Sequence, residues 1–363
     1  MRIAFICGSL EPGKDGVGDY TWRLAKSLHA LGVQIAVIAA NDSHIQTVIA
    51  EASDKAPQIL RIPKIWTNSL RVKQIEAFLR IFNPDWVSLQ YVIFSFHSKG
   101  LPVFFNNDLR GLLSGLKIHI MFHELWVGMD ENAGLKHRLW GGVQKRMIGR
   151  LIGTLRPKQI DTNTDLYQAQ LKSLGVDAGI LPLFGNIPIV KKKQIQFLGN
   201  EIDLVLFGGI HHGAPVETFA LEVANYSKKN NKRVTLHLLG RCGDEQKKWI
   251  YSWNAVGLQV KVWGAVSDAR VSEILAASTA GVTTTPVSLV QKSGSVAAMQ
   301  EHGLPVICVA RDWVPRFVNQ LSIPQNVLVY HKGNFDQLFR FFPIIPENNL
   351  EGVTKSMLLK LSN

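Results

Sequence analysis

Short apolar segments alternate with amphipathic segments almost from one end of this sequence to the other. In the opening unit, residues 2–7 have the length and composition of a buried strand, and residues 17–31 carry apolar side chains at spacings of three and four. Gly32 is placed to end that helix, and residues 33–40 form the next strand. This rhythm predicts βαβ units and largely parallel sheets, which is the α/β class of fold.

A break divides the series into two halves. Residues 182–200 contain two prolines, two glycines and three consecutive lysines, a composition that predicts a linker. The chain of 363 residues is long enough for two separate cores. Strands are predicted at 86–89, 117–122, 203–207, 234–239, 260–263, 280–284 and 306–309. We therefore expect two Rossmann-like, doubly wound domains facing a central cleft, at 1–185 and 200–345, with a helical tail at 346–363.

Composition excludes some classes of protein and leaves others open. The sequence has no apolar run near the roughly 18 to 20 residues that a membrane span needs. Its three cysteines are far apart and include no CxxC pair, which argues against a disulfide framework or a zinc site and favours a cytoplasmic location. A net charge of +12 suits nucleic acid, an anionic membrane surface or a polyphosphate substrate.

Candidate chemistry in the first half lies in loops that follow strands. Gly13, Gly16 and Gly18 precede a helix, and we expect their backbone N–H groups to be open to an anion, although a merely tight connection explains the glycines equally well. His123 directly follows a predicted strand, where it is either functional or a satisfied polar residue. The segment 91–97 also follows a strand and is a candidate for contact with an acceptor.

Two loops of the second half are candidates for phosphate binding. His211 and His212 follow a predicted strand and a Gly-Gly pair, and adjacent histidines without a carboxylate cluster favour phosphate contact over a metal site. Lys292 supplies a cation just before a predicted helix, whose amino terminus favours an anion. Ser295 is explained by a simple N-cap, but Lys292 is not.

Four places in the chain together resemble glycosyltransferase family 4. They are the glycine loop at 16–21, His123 after its strand, the Gly208–Gly209 pair, and the Gly-Leu-Pro-Val segment that begins at Gly303. The resemblance implies a GT-B fold, a sugar nucleotide held mainly by the carboxyl-terminal domain, and transfer with retention at the anomeric carbon. It also implies no cofactor and no obligatory metal, with a UDP-, GDP- or other nucleotide-sugar as co-substrate and a glycan, lipid-linked or small-molecule acceptor.

The residues and the resemblance together give three groups of predicted site residues. The catalytic group is His123 and Glu124. The donor-binding group is Gly16, Val17, Gly18, Gly209, His211, His212, Lys292, Ser293, Gly294, Ser295 and Glu301. The acceptor-binding group is Asp19, Tyr20, Tyr91 and His97.

The sequence departs from the family pattern in two ways. The family has two glutamates eight positions apart where this chain has Val290 and Ala298, and Glu301 is the one acid in that helix. The family's Arg and Lys pair after the first strand of the donor domain is also absent. These departures leave open a non-catalytic GT-B-like subunit that has lost donor binding, and a GT-B enzyme of another reaction, such as a phosphorylase or an epimerase.

The segment 135–158 is basic and amphipathic. Such a helix lies on an anionic bilayer surface or, at least as readily, packs its apolar stripe on its own domain. Members of the family that act on lipid-linked acceptors keep peripheral binding to the inner face of the membrane open. Nucleic acid is not an expected partner, since no recognised binding motif or aromatic platform accompanies the positive charge.

Overall fold

The computed structural model describes residues 1–53, 55–190, 200–318, 321–338 and 349–362, without the side chains of 104–106. The chain forms two compact units. The first contains Met1–Pro182, Pro315–Asn319 and Leu350–Asn363, and the second contains Leu183–Val314 and Gln320–Asn349. Of the predicted linker, 191–199 lie outside the described residues, as do 339–345 of the predicted second domain and 346–348 of the predicted tail.

An eight-stranded sheet forms the centre of the first unit. Its strands are β1 (Arg2–Cys7), β2 (Gln34–Asp42), β3 (Ile49–Ser53), β4 (Ala56–Pro63), β5 (Trp86–Tyr91), β6 (Lys117–Phe122), β7 (Gln159–Thr162) and β8 (Gly179–Ile180). The order is β3-β4-β2-β1-β5-β6-β7-β8, and every pairing is parallel except the antiparallel pair β3–β4. β1 lies in the interior because both of its faces are covered, and its residues 3–7 are fully buried.

The described part of the first unit contains the helices α1 (Gly16–Ala30), α2 (Asn68–Phe82), α3 (Val103–Leu112), α4 (Leu135–Leu155), α5 (Asp165–Lys172) and α11 (Asn349–Ser362). α1 begins after the N-cap Asp15 and ends before Gly32, whose φ of +84° confirms the predicted helix stop. The carboxyl-terminal α11 packs on this unit, where Thr354 Oγ1 donates to Ser27 Oγ at 2.8 Å.

The second unit has a six-stranded parallel sheet. Its strands are β9 (Glu201–Phe207), β10 (Arg233–Leu239), β11 (Gln259–Gly264), β12 (Ala280–Thr283), β13 (Val306–Cys308) and β14 (Val327–Val329), in the order β11-β10-β9-β12-β13-β14. Its helices are α6 (Val216–Asn230), α7 (Gln246–Ala255), α8 (Asp268–Ala277), α9 (Gly294–Glu301) and α10 (Phe335–Leu338), with a 3₁₀ helix at Val287–Lys292. Phe219 of α6 anchors an aromatic core with Trp249, Trp253 and Phe335.

The strand order of each sheet reverses at one point. In the first unit it reverses between β1 and β5, and in the second between β9 and β12. Loops that leave neighbouring strands in opposite directions open a crevice at the carboxyl end of such a sheet, which is where doubly wound folds bind ligands. The predicted mixed α/β fold with two parallel-sheet domains is confirmed, and the strands predicted in both halves are present within two residues at each end.

Candidate functional site

The two loops at the reversal point of the second sheet contact each other. The loop after β9 begins at Gly208, whose φ is +88°, and a Cβ placed there would lie 3.3 Å from Ser295 Oγ. In the same loop the backbone N–H of His211 donates to Thr284 Oγ1, just after β12, at 2.7 Å. The structure therefore places the Gly-Gly turn directly beside the amino terminus of α9.

The start of α9 differs from the sequence prediction in its capping residue. The N-cap is Ser293, whose Oγ accepts from the Val296 N–H at 3.4 Å, whereas Ser295 lies inside the first turn. Ser295 Oγ is 3.2 Å from Ser293 Oγ, and a Cβ on Gly294 would meet no atom within 4 Å. Ser295 is therefore not the N-cap, which was the alternative explanation for this serine, and its hydroxyl lies beside the loop after β9.

Three basic side chains lie close to one another at this turn. The pKa of His211 lies below its usual range, first because the ring is partly desolvated, and then because Lys292 and Arg311 act on it as neighbouring positive charges. Arg311 follows the next strand, β13, and its Cδ would be 3.3 Å from a Cβ on Gly213. These groups and the helix amino terminus give the site a concentrated positive potential that suits a phosphate or diphosphate.

Arg311 is a residue that sequence reasoning missed. It lies three residues beyond β13, so the rule that sites form at the carboxyl ends of neighbouring strands was the signal that would have identified it. The family resemblance instead predicts an Arg and Lys pair in the loop after β9, and that loop contains neither residue at 208–213.

Two predicted donor-binding residues lie apart from this cluster. Glu301 is buried at the far end of α9, about 10 Å along the helix from Gly294 at 1.5 Å per residue. The side chain of His212 points outward, with 91% of its surface exposed, and its Nδ1 lies 2.8 Å from Glu245 Oε1. The structure therefore brings Gly209, His211, Lys292, Ser293, Gly294 and Ser295 into one region but not these two side chains.

The glycine loop of the first unit corrects another prediction. The backbone N–H groups of Val17 and Gly18 both donate to Asp15 Oδ1, at 2.9 and 3.1 Å. The N–H of Gly13 donates to the Asp19 carboxylate, at 3.1 Å to Oδ1. Because two carboxylates of the chain already occupy these donors, the loop is not the open anion cradle that its glycines suggested.

Gly16 and Gly18 occupy different environments in this loop. Gly16 is exposed, and a Cβ there would meet nothing within 4 Å. Gly18 is buried, and a Cβ there would lie 2.3 Å from the backbone oxygen of Ser9. Gly18 therefore permits close packing of α1 on the loop after β1, which is a structural reason for a glycine at that position.

His123 is buried just beyond the carboxyl end of β6. Its backbone N–H donates to the Tyr91 carbonyl at 3.1 Å, its Nε2 lies 2.8 Å from Gln90 Oε1, and the edge of its ring meets Tyr20 at a centroid distance of 4.9 Å. Burial, together with the nearby His119, lowers the pKa of His123 to about 3. The imidazole is therefore neutral at physiological pH. Glu124, which follows it, is half-buried.

The predicted acceptor residues lie in three different settings. Tyr20 and Tyr91 are buried, and Tyr91 packs against Phe96 and Phe122, so the burial of these two rings argues against acceptor contact through their hydroxyls. Asp19 caps the glycine loop, as described above. His97 is exposed, and its Nδ1 accepts from the N–H groups of Lys99 and Leu101, both at 3.2 Å, which orders the turn after β5.

Two further observations concern metals and membranes. Among the residues that the structure describes, no group of three or more His, Cys, Asp or Glu side chains is placed to hold a metal ion. Within the same part of the chain, every helix is too short or too polar to cross a bilayer.

Comparison with protein families by sequence gives little. No family model matches the chain. A nonribosomal peptide synthetase of Malbranchea aurantiaca, malG, is 33% identical over 105 residues, which is 24% of this chain. The chain spans only 4% of the length of that curated relative.

Comparison with solved structures defines the class of fold. The lipopolysaccharide outer core galactosyltransferase WaaB matches with a TM-score of 0.57 and 15% identity, over 100% of this chain and 99% of that one. HepE of Anabaena, solved with UDP and glucose, matches with a TM-score of 0.59 and 14% identity over the same shares. The UDP-GlcNAc 2-epimerase of Neisseria meningitidis, bound to UDP-GlcNAc, matches with a TM-score of 0.52 and 9% identity over both whole chains.

These full-length matches assign the chain to the GT-B fold. At such low identity they define architecture alone, and the proteins that share it include transferases and an epimerase.

Proposed function

We propose that this protein is a glycosyltransferase that takes its sugar from a nucleotide-sugar donor. The observation that carries the proposal is the convergence of Lys292, Arg311 and His211 with the amino terminus of α9 at the reversal point of the second sheet. Two neighbours of the same fold were solved with UDP and glucose and with UDP-GlcNAc.

The site suits the leaving group of such a reaction. When a sugar departs from its nucleotide, negative charge grows on the diphosphate, and catalysis needs positive groups already arranged around it. Lys292 and Arg311 each supply a permanent charge, and the first-turn N–H groups of α9 add the positive end of a helix dipole. Arg311, together with Lys292, would neutralise the leaving diphosphate as the Arg and Lys pair of the family does, without a metal ion.

We further propose that the chain is a divergent relative of glycosyltransferase family 4 and that transfer retains the anomeric configuration. His123 then lies on the sugar side as a neutral group, because its low pKa keeps the proton off its second nitrogen. The neutral ring of His123 or the backbone carbonyl of His123 stabilises an oxocarbenium-like sugar. A protonated ring would instead repel the positive charge of that sugar. The acceptor is a glycan, a lipid-linked sugar or a small molecule.

Donor binding is tested by thermal unfolding with UDP-, GDP-, ADP- and dTDP-sugars. A ligand at 100 times its Kd stabilises the native state by about 2.7 kcal/mol, and a tenfold weaker ligand at the same concentration by about 1.4 kcal/mol. We expect one nucleotide-sugar to raise the Tm. In Lys292→Ala the stabilisation by that ligand is expected to fall by at least about 1.3 kcal/mol, with a correspondingly smaller rise in Tm. Lys228→Ala is the matched control, because Lys228 is exposed in the last turn of α6, near the amino end of β10 and so at the end of the strands opposite to the site.

The same panel separates the alternatives. No shift with any nucleotide-sugar in a folded protein would contradict the donor site and favour a non-catalytic GT-B-like subunit. A donor that binds but is isomerised without acceptor indicates an epimerase. A transferase releases nucleoside diphosphate faster when acceptor is added, so release of UDP or GDP with and without acceptor distinguishes the two reactions.

We also propose that α4 holds the protein against an anionic bilayer. One face of α4 is buried through Gln144, Ile148 and Leu151, whereas the opposite face carries a second, exposed apolar stripe. Leu135 and Leu139 on this stripe are 72% and 66% exposed. The exposed stripe and its exposed basic neighbours are Leu135, Leu139, Val143, Lys136, Arg146 and Arg150.

The composition of that face matches a surface helix on a bilayer, where apolar side chains enter the acyl boundary and arginines meet anionic headgroups. Flotation with vesicles of phosphatidylcholine, or of an equal mixture with phosphatidylglycerol, tests it. Binding to the anionic vesicles alone, weakened by Leu139→Ser, is the expected result. Leu359→Ser is the control, because Leu359 is a 67% exposed leucine on α11 of the same unit. Equal behaviour of the two variants would contradict the assignment.

A further inference from the structure

A row of buried polar side chains runs across three strands beneath His123. Gln90 Nε2 donates to Ser88 Oγ at 2.7 Å, and Ser88 Oγ lies 2.8 Å from His119 Nδ1. His119 Nε2 lies 3.3 Å from Asp161 Oδ2. With the 2.8 Å contact between Gln90 and His123, the row links Asp161 to His123 through three hydrogen bonds and one longer ion-pair contact, that between His119 Nε2 and Asp161, which does not meet hydrogen-bond geometry.

The row follows from strand geometry. Side chains two residues apart share a face of a sheet, so Ser88 and Gln90 of β5 point the same way. His119 of β6 lies on that face, and His123 follows just beyond the end of β6. Ser88 pairs with His119 in the parallel register of these strands. Every side chain of the row is at most 4% exposed, so a hydrogen bond lost there is not replaced by one to water.

Asp161 fixes the direction of every hydrogen bond in the row. A carboxylate only accepts, so its position 3.3 Å from His119 Nε2 favours a proton on that nitrogen and a lone pair on Nδ1. Ser88 then donates its hydroxyl proton to His119 and accepts from the amide of Gln90. The oxygen of Gln90 is left facing His123, whose Nε2 must carry the proton.

The far end of the row is held by the carboxyl-terminal helix. The ammonium group of Lys360, on α11, forms an ion pair with Asp161 Oδ1, and Gln159 Nε2 donates to Oδ2 at 2.9 Å. Burial alone would raise the pKa of Asp161, but the neighbouring His119, and after it Lys360 and Gln159, hold that pKa below its usual range, so the group is a carboxylate at physiological pH.

We propose that Asp161 is a positioning residue for His123: acting through His119, Ser88 and Gln90, it places the His123 proton on Nε2 and leaves Nδ1 as a hydrogen-bond acceptor. The role of His123 toward the sugar rests on the proposed function, but its tautomer does not. Lys360 extends this control to α11, which joins the first unit from the other end of the sequence.

The test is the tautomer itself, read by ¹⁵N–¹H correlation spectra of protein labelled at histidine, with the His123 signals assigned through His123→Gln. The wild type is expected to show a neutral ring protonated at Nε2. In Asp161→Asn the amide nitrogen faces His119, each hydrogen bond of the row reverses, and the His123 proton moves to Nδ1. Asp177→Asn, at an exposed aspartate of the same unit, is expected to change nothing.

Ser88→Ala provides a second, smaller change should Asp161→Asn fail to fold. It breaks the row in the middle, so His123 is expected to become a mixture of tautomers while far-UV circular dichroism stays native. A wild-type His123 protonated at Nδ1 would overturn the proposal, as would a tautomer unchanged in both variants.

Measurements of activity test the role of Asp161 independently of the tautomer. If the protein transfers sugar as proposed, Asp161→Asn lowers kcat by at least about 10-fold with little change in the donor KM, since a histidine held in the wrong tautomer can cost an enzyme up to about 10⁴-fold. If no transfer is found in the wild type, the proposed function fails, whereas the tautomer result still decides the role of Asp161.

Discussion

Replacing Gly18 by alanine separates two explanations of the glycine loop, namely close packing and ligand contact. The new Cβ would lie 2.3 Å from the Ser9 carbonyl oxygen, so α1 or the loop must withdraw by about 0.7 Å to reach even 3.0 Å. The obstacle is backbone and not the end of a flexible side chain. Overpacking of this kind costs about 1–3 kcal/mol.

Gly16→Ala is the matched control two residues earlier. At Gly16 the Cβ meets nothing within 4 Å and the backbone is already helical, so alanine is expected to stabilise by about 0.5–1 kcal/mol through its higher helix propensity. The two variants are thus expected to differ by about 1.5–4 kcal/mol, because one change adds a clash and the other removes only chain entropy.

Urea unfolding followed by far-UV circular dichroism measures the difference. With a slope of about 2 kcal/mol per molar urea, the midpoints are expected to differ by about 1–2 M. If the two units unfold in separate transitions, only the transition that includes α1 should move. Equal midpoints for Gly16→Ala and Gly18→Ala would refute the packing explanation, and a loss of donor binding in Gly18→Ala without a loss of stability would favour ligand contact.

Three other predictions concern the basic cluster and the buried carboxylate. Arg311→Ala is expected to weaken nucleotide-sugar binding by about 10-fold or more, as loss of a charge-assisted hydrogen bond does. It is also expected to raise the pKa of His211 in the unliganded protein, measured by NMR titration, and an unchanged pKa would contradict the proximity of Arg311 to His211. His212→Ala is expected to leave affinity within about twofold, since its side chain is exposed, and a larger loss by calorimetry would place it in the site. The pKa of Asp161 is lower in the folded than in the unfolded protein. Its contribution to stability is therefore complete above the unfolded carboxyl pKa of about 3.9 and is lost as the pH falls through the folded pKa. The free energy of unfolding of Asp161→Asn, measured against pH in the acid range, should fall less steeply than that of the wild type.

Much of the fold was readable in the sequence because its signals are local. Residues 117–122 were predicted as a strand and form β6 with the same ends, and the Gly32 stop was placed correctly. Such features depend on the spacing of apolar side chains and on the φ angle that a helix end demands, and both are written in neighbouring residues.

The glycine loop shows where local reasoning fails. Its three glycines predicted open N–H groups, but the sequence also contains Asp15 and Asp19, whose carboxylates accept from the N–H groups of Gly13, Val17 and Gly18. Composition indicates which groups are present in a loop, whereas the pairing of donors with acceptors depends on the path of the backbone.

The sequence by itself determined the two parallel-sheet domains, the loops that follow their strands and the cation at Lys292. Only the tertiary structure decided that Arg311 joins Lys292 and that Glu301 lies away from both. It also decided that a row of buried polar contacts connects Asp161 to His123 and that Lys360 of α11 pairs with Asp161 at the end of that row. Periodicity is a property of adjacent residues, whereas a site is made by strand order and register, which bring together residues as far apart as Ser88 and Lys360.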